Sequence, residues 1–379
     1  MRRLLRKLYK TWGNLMAYGL HLYYNGWCNK IVKMQKIPNK KMEGEAQYIA
    51  KWKQLSRHVN PKYYRIFSKY IEPTANIVPE DICHNVIEHI LNPAKHRVFY
   101  ADKNMYDKLF QKGTLPDTIL RCIQSSLYDS NYKIVDNVAV EELIKNVSHN
   151  SVILKPSVDS DSGHGVHLFR KGDDGIFYDC QVGKKLTSEL LKSVGENWIL
   201  QECIEQHPYM AAFNETSVNT LRVLVYRSPI DNKSRVLNTI MRIGKKGSHI
   251  DNAHAGGLFI GISPEGKVGN FLCDQYGNKY GTFNDLNFID NDYVIPYFDK
   301  VKELAEYVGD SIVHLRLFAL DVMIDKNGKP RLIEFNIYAL STWLFQFTTS
   351  NAFGEYTDEI IEYCKERKSQ IERVRVSVW

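Results

Sequence analysis

The sequence lacks the spacing of a disulfide frame or a zinc site. Its seven cysteines, Cys28, Cys83, Cys122, Cys180, Cys203, Cys273 and Cys364, are odd in number and the nearest two are 23 residues apart. With no CxxC among them, they read as free thiols of a reducing compartment. A membrane span is missing as well. The longest uncharged run, Thr11 to Asn29, contains Gly13, Asn14, Gly19, His21, Asn25 and Gly26. It is too polar to cross a bilayer unaided and lacks the compact apolar block of a signal peptide. These absences predict a cytoplasmic protein. Internal repeats and low-complexity segments are also absent. At 379 residues, 44% hydrophobic and 25% charged, the chain has the composition of a globular protein of two or three domains. That excludes the disordered, collagenous and coiled-coil classes. Nor does positive charge spread over the body. Of the formal net +7, residues 1–50 hold Arg2, Arg3, Arg6, Lys7, Lys10, Lys30, Lys33, Lys36, Lys40 and Lys41 against only Glu43 and Glu45. The remainder is close to neutral, which argues against a nucleic-acid partner. The 23 tyrosines read as helix-packing residues with a polar tip, not as base-stacking platforms.

What is present has two textures. Residues 1–95 are predicted to be helical, from Leu4/Leu5, Leu8, Trp12, Leu15/Met16 and Leu22/Tyr23 at helical spacing beside Arg and Lys. Asp81 is predicted to cap a helix through Ile82, Val86 and Ile90 to Leu91, which Asn92–Pro93 ends. The basic start has two readings. One is a solvated helix face; the other is weak peripheral contact of residues 1–41 with an anionic membrane surface. Further on, strands and glycine turns dominate. Strands are predicted at 151–156 and 198–204, hairpins at 165–179, 220–244, 256–272 and 317–336, and helices at 140–147, 185–194, 297–308 and 358–368.

The hairpin at 317–336 carries two acids. Asn327–Gly328 predicts a two-residue type I′ turn. That turn places Asp325 opposite Pro330 and Asp321 opposite Glu334, with Asn336 on the same face. Directly opposed Cβ atoms lie about 4.5–5.5 Å apart, and like charges so placed destabilise a sheet unless something is shared between them. Two readings stand: hard oxygen ligands for Mg²⁺ shared with phosphates, or an acid pair balanced by nearby Lys or Arg. A second candidate is Lys155, at a predicted strand end before Ser157, Ser160, Ser162, Gly163, His164 and Gly165. Glycines and hydroxyls can cradle phosphate. The same pattern also makes a plain turn, and it is neither a Walker loop nor a Rossmann fingerprint.

In order along the chain, ADK at 101–103, LKPSVDSDSGHGV at 154–166, WILQECI at 198–204, NETSVNTLRVLVYR at 214–227, DNAHAGGLFIGIS at 251–263 and LDVMIDKNGKPRLIEFN at 320–336 resemble the ATP-grasp superfamily. The likeness is to its sugar-transfer-associated branch and covers roughly residues 50–365. The resemblance implies an α+β fold in which two lobes clasp ATP. Its lobes would be 96–205, with the glycine loop, and 206–379, with the metal hairpin, behind a helical N-terminal region 1–95. It implies that Lys103 and Lys155 contact ATP phosphates and that Ser162, Gly163, His164 and Gly165 close over them. Gln201, Glu202 and Ile204 would read adenine. Asp321, Glu334 and Asn336 would hold two Mg²⁺, with Mn²⁺ as a substitute. Arg222, Arg242 and Asn252 would bind the transferring phosphate or a substrate carboxylate.

The chemistry implied is carboxylate–amine ligation through an acyl phosphate. The substrates would be small molecules such as an amino acid and an amino-sugar precursor of a surface polymer. Alternatives are a small-molecule kinase on the same lobes and a non-catalytic nucleotide-binding module. The chain departs from the family in three ways. Its first 95 residues are helical where an α/β domain is usual. Gln201 stands where an acid is often found. No clear acid marks the ribose, for which His207 is a candidate.

Overall fold

The structure, a computed structural model, describes residues 2–158, 165–247 and 256–371. The helical spacing of the first part is realised as α1 (Arg2–Met34), α2 (Glu45–Trp52) and α3 (Lys62–Phe67), then a helical run over 80–91. That run contains a π-helical turn, Cys83–Ile87. Asp81 does not cap it. The helix starts two residues earlier, at Glu80 behind Pro79, and Asp81 Oδ2 instead lies 2.6 Å from His21 Nδ1 of α1. Helix α1 turns many of its apolar residues outward. Its core contacts come from Cys28 and Ile31, whereas Trp12, Leu15, Met16, Leu22 and Tyr23 face solvent.

Two antiparallel sheets follow. The first contains β1 (Thr118–Ile123), β2 (Ser126–Asp129), β3 (Ser151–Pro156), β4 (His167–Lys171), β5 (Phe177–Asp179) and β6 (Trp198–Glu202), in the order β2-β1-β6-β3-β4-β5. Its apolar face, with Leu120, Val152, Leu154, Phe169 and Trp198, packs with Val140, Ile144 and Leu191 of two short helices. Next come β7 (Leu221–Arg227), β8 (Ser234–Ile243), β9 (Leu258–Ile262), β10 (Val268–Cys273), β11 (Lys279–Tyr280), the ribbon β12 (Thr282–Phe283) and β13 (Leu286–Asn287), β14 (Leu317–Ile324) and β15 (Pro330–Asn336). The larger sheet has the order β11-β10-β9-β8-β7-β14-β15.

Strand alternation gives this larger sheet two apolar faces. Val223, Val225, Phe318 and Leu320 lie against Val301, Ala305 and Val308 of the helix Phe298–Ser311. Leu224, Tyr226, Ile240, Phe259, Leu317 and Ala319 join a core with Trp52, Tyr63, Phe67, Trp343 and Phe347. The N-terminal helices and the helix Trp343–Thr348 therefore supply the cover of that face. Trp52, Tyr63 and Phe67 are fully buried, and each such side chain contributes about 1.5–3 kcal/mol on leaving water.

The β14–β15 hairpin is built differently from the predicted one. Ile324 pairs with Pro330, and Asp325 N–H donates to Lys329 O at 2.9 Å. The loop thus has three residues, 326–328. Gly328 has φ +77°, while Asn327 is absent from the positive-φ residues that a type I′ turn needs. The Asp325 carboxylate accepts from Asn327 N at 3.0 Å and Lys329 N at 2.9 Å, an Asx-type turn that starts the loop one residue earlier. Val322 accordingly faces Leu332. A bulge then inserts Ile333, and beyond it Asp321 faces Glu334. The longer loop and the bulge shift the register by one residue in opposite senses, so the predicted Asp321–Glu334 pair forms.

Candidate active site

Asp321 is central in β14, with Arg222 of β7 on one side and Glu334 of β15 on the other. Arg222 in turn faces Ile240 of β8, and Arg242 lies two residues along β8 on the same face. These side chains share the face that carries Leu224, Ile240 and Ala319. The helices cover that face at one end and the charged row occupies the other. Sheet order thus assembles groups that are 99 residues apart in the chain.

Arg222 binds Asp321 as a fork, Nε to Oδ1 at 2.9 Å and Nη2 to Oδ2 at 2.8 Å. Arg242 Nη1 reaches Asp321 Oδ2 at 3.3 Å. Burial alone would push the Asp321 carboxyl up. The Arg222 and Arg242 guanidinium groups, with hydrogen bonds from Arg222 and Asn336, outweigh it and hold the carboxyl below its ordinary range. Lys103 Nζ lies 2.9 Å from Glu334 Oε1. Its backbone N–H donates to Ser157 O at 2.8 Å, which fixes the Lys103 turn beneath the end of β3. Lys155, at that end, is closely surrounded by protein although part of its surface is exposed. Burial pushes its ammonium down to about 8, the Glu334 carboxylate opposes the shift, and the Lys103 charge adds to it. Lys103, Lys155, Asp321, Glu334, Arg222, Arg242 and Asn336 therefore converge. Four cationic side chains meet two carboxylates, a positive excess suited to a polyanion.

The donor set fits Mg²⁺. Among the described residues no group of three or more His, Cys, Asp or Glu forms a metal site by itself. Two carboxylates and an amide would share the ion with phosphate oxygens, which is how Mg²⁺ is commonly held.

Other sequence candidates have different surroundings. The Gln201 amide donates to Pro116 O at 3.2 Å and Thr118 Oγ1 at 3.3 Å. Glu202 accepts from Asp117 N at 2.9 Å and Arg331 Nη2 at 2.8 Å, and its other oxygen lies 2.9 Å from His149 Nε2. Both side chains brace the strand end, and the Glu202 and Cys203 N–H groups are engaged there too, donating to Asp117 O at 2.9 Å and Ser151 O at 3.0 Å. Cys203 is half-buried and burial pushes its thiol up to about 11, an inert state. All seven cysteines are free. Gly165 has φ +72°, and a Cβ there would meet Pro156 Cγ at 3.0 Å. Ser162, Gly163, His164 and Asn252 lie outside the described residues.

Sequence reasoning missed the support of this site. Glu80 accepts from Thr342 N and Trp343 N, each at 3.1 Å, and Glu88 from Ala339 N and Leu340 N, each at 3.0 Å. His84 sits between the two acids, at 3.3 Å and 2.9 Å. The segment they hold follows Asn336 directly and has positive φ at Ala339 and Ser341. Asn92 accepts from Arg316 N and Leu317 N and donates to Ile337 O at 2.8 Å, tying together the ends of β14 and β15. The signal was Glu80, His84 and Glu88 at i, i+4 and i+8 of one helical run, beside the apolar Ile82, Val86, Ile87, Ile90 and Leu91.

Residues 84–360 match the family described as sugar-transfer associated ATP-grasp. No curated protein matches. Similar solved structures include the ATP-grasp ligase PsnB complexed with minimal precursor, at 13% identity over 72% of this chain and 64% of that one, with a TM-score of 0.40. D-cycloserine synthetase DcsG is 11% identical over 73% of each chain, with a TM-score of 0.42. A biotin carboxylase–β,γ-ATP complex from Campylobacter jejuni is 11% identical over 70% of this chain and 46% of that one, with a TM-score of 0.43. The chain spans just under two thirds of PsnB and about half of the biotin carboxylase.

Proposed function

Because the chain belongs to the sugar-transfer associated ATP-grasp family, we propose that it is an ATP- and Mg²⁺-dependent carboxylate–amine ligase. The observation that carries this reading is the charged row Arg222–Asp321–Glu334 with Arg242, Lys103 and Lys155 around it. Lys103 and Lys155 bind the ATP phosphates, and the loop from Ser162 to Gly165 closes over them. The linker from Gln201 to Ile204 reads adenine. Asp321, Glu334 and Asn336 hold Mg²⁺, which neutralises charge on the phosphates. Arg222 and Arg242 exchange their grip on Asp321 for the transferring phosphoryl group and the substrate carboxylate, beside Asn252. A carboxylate oxygen attacks the γ-phosphorus and the bond to ADP breaks. An amine then attacks the carbonyl carbon of the acyl phosphate, a C–N bond forms and phosphate leaves. These steps need positioning and charge stabilisation, not a protein nucleophile. In this reading the lobes are 96–205 and 206–379, behind the helical region 1–95. The substrates are an amino acid, or a similar acid, and an amino-sugar precursor of a surface polymer in the cytoplasm.

A screen of ADP release tests this, pairing amino acids and hydroxy acids with amino-sugar nucleotides, followed by mass spectrometry. The expected products are ADP, phosphate and a new amide. Asp321→Ala and Glu334→Ala should each lower turnover by about 10²-fold or more, as loss of a charge-stabilising group does. ADP with a stable phosphorylated product would make the protein a kinase instead. Absence of nucleotide binding, with turnover indifferent to both substitutions, would remove the enzymatic reading.

A further inference from the structure

The exposed side of α1 is the apolar one. Trp12, Leu15, Met16, Tyr18, Leu22 and Tyr23 are each between 49% and 65% exposed. Their spacing, at three to four residues, places them along one continuous stripe. Gly19 and Gly26 lie in the same stripe, and a Cβ on either would meet nothing within 4 Å. From Thr11 to Asn29 the helix carries no formal charge, whereas Arg2, Arg3, Arg6, Lys7 and Lys10 precede this segment and Lys30 and Lys33 follow it. Among the described residues no helix is long and apolar enough to cross a membrane. An apolar stripe with Trp and Tyr, flanked by basic residues, is the pattern of a helix that lies in a membrane interface.

A second observation comes from a different part of the fold. A cleft of about 420 Å³ opens between α1 and the segment after α2, lined by His21, Asn25, Lys53, Arg57, His58 and Asn60. No carboxylate is among its lining residues. Asp81 is buried and paired with His21 at 2.6 Å. Lys53 and Arg57 therefore stand as the cations of the cleft, with amide donors beside them. His21 and Asn25 form its wall on α1. Each is three residues beyond a member of the stripe, Tyr18 and Leu22 respectively, so cleft and stripe share an edge. Charge and apolar surface thus meet as they do at a lipid headgroup boundary.

We propose that α1 docks this face on an anionic membrane surface, with Trp12, Leu15 and Leu22 entering the acyl boundary and the His21–Lys53–Arg57 cleft taking a lipid phosphate. Neither part uses the catalytic row, so this docking stands or falls apart from the ligase reading.

Co-sedimentation of the full chain with vesicles tests it. One set is phosphatidylglycerol mixed with phosphatidylcholine, the other phosphatidylcholine alone. The full chain should pellet with the anionic vesicles and remain largely in solution with the neutral ones, and rising salt should release it. The surface variant Trp12→Ala/Leu15→Ala/Leu22→Ala and the cleft variant Lys53→Glu/Arg57→Glu should each lower partitioning about tenfold or more. Nucleotide binding, measured in parallel, should be unchanged in both, which shows that they fold. Full chain left in solution with anionic vesicles overturns the proposal, as does equal pelleting of the stripe variant. A dimer in solution that the stripe variant converts to monomer would assign the stripe to a second copy. Loss of inorganic phosphate binding in the cleft variant with vesicle binding intact would assign the cleft to a soluble phosphate. Either result overturns the lipid assignment.

Discussion

Lys155 and Asp321 face the same crowd of charges with opposite results. The two arginines hold Asp321 ionised despite its burial, while Lys155 loses part of its hold on a proton to burial and to Lys103. A bound polyphosphate would reverse the second effect, because an anion beside an ammonium favours its charged form. The sign follows. With Lys155 pushed down to about 8 in the free protein and higher when nucleotide is bound, binding takes up protons between those two values. MgATP affinity should therefore be greatest below pH 8 and fall as pH rises through it. Titration calorimetry in buffers of different ionisation enthalpy reads both the affinity and the proton uptake. Lys155→Arg should flatten the profile. Lys155→Met should lower affinity by about tenfold or more below pH 8, where Lys155 is charged, the cost of one charge-assisted hydrogen bond, and by less as pH rises. An unchanged profile in Lys155→Arg would clear Lys155 of this role. The acids and lysines of the site were legible in the sequence because each sits in a short local pattern. The grip of Arg222 and Arg242 on Asp321 was not. It depends on β8, β7 and β14 being neighbours in the sheet, a long-range pairing that no local spacing encodes.

Turns show how an element can be predicted for one reason and built for another. Asn327–Gly328 has the strongest hairpin signature in the chain, yet the Asp325 side chain organises a three-residue loop there and a bulge repairs the register. A two-residue loop does occur at Gln124–Ser125, where Ile123 pairs with Ser126 and both loop residues have positive φ. That hairpin, β1–β2, was missed because neither residue is glycine or asparagine. Gly328 tests the first case. Its φ is +77°, and a Cβ would lie 2.4 Å from Cε2 of Tyr297. Gly328→Ala should cost about 1–2 kcal/mol or more, from the left-handed backbone together with the ring contact. Asn327→Ala should stay within about 0.5 kcal/mol, since Asn327 is not left-handed. Urea unfolding of both variants decides between this loop and a type I′ turn, which would make both positions costly.

The Glu80–His84–Glu88 run predicts in a different way. Burial alone would push the His84 imidazole down, but the Glu88 and Glu80 carboxylates push it up to about 11. A raised histidine stabilises fully below its unfolded value near 6.5, and its contribution is lost as pH rises toward 11. His84→Gln should therefore flatten the decline of urea midpoint with pH over that window. Glu88→Ala, which takes one of the two acids from His84 and strands two backbone N–H groups, should cost about 3–5 kcal/mol.

At the scale of the molecule, the helical first quarter was legible as helix, but its job was not. Sequence shows apolar residues at helical spacing. It does not show that they complete one face of a sheet formed more than a hundred residues later. Leu224, Tyr226 and Phe259 of that sheet share a core with Trp52, Tyr63 and Phe67. The charged row lies at the open end of the same face, so the helices both stabilise the sheet and bound the candidate site. Trp52 is the sharpest probe of this union. It is fully buried, and its Nε1 donates to Ala75 O at 3.0 Å. Trp52→Ala should destabilise by about 3–5 kcal/mol, the range for truncating a large aromatic in a core. If the helices and the larger sheet unfold as one unit, the loss appears across both. Far-ultraviolet circular dichroism and protection of β7 and β14 amides from hydrogen exchange should then shift together in a single transition. If the helices were an independent module, the variant would show an early helical transition while amide protection in β7 and β14 stayed at the parent value. The shared core requires the first result, because unfolding the helices would leave Leu224, Tyr226 and Phe259 in water beside the row of charges that they help to hold in place.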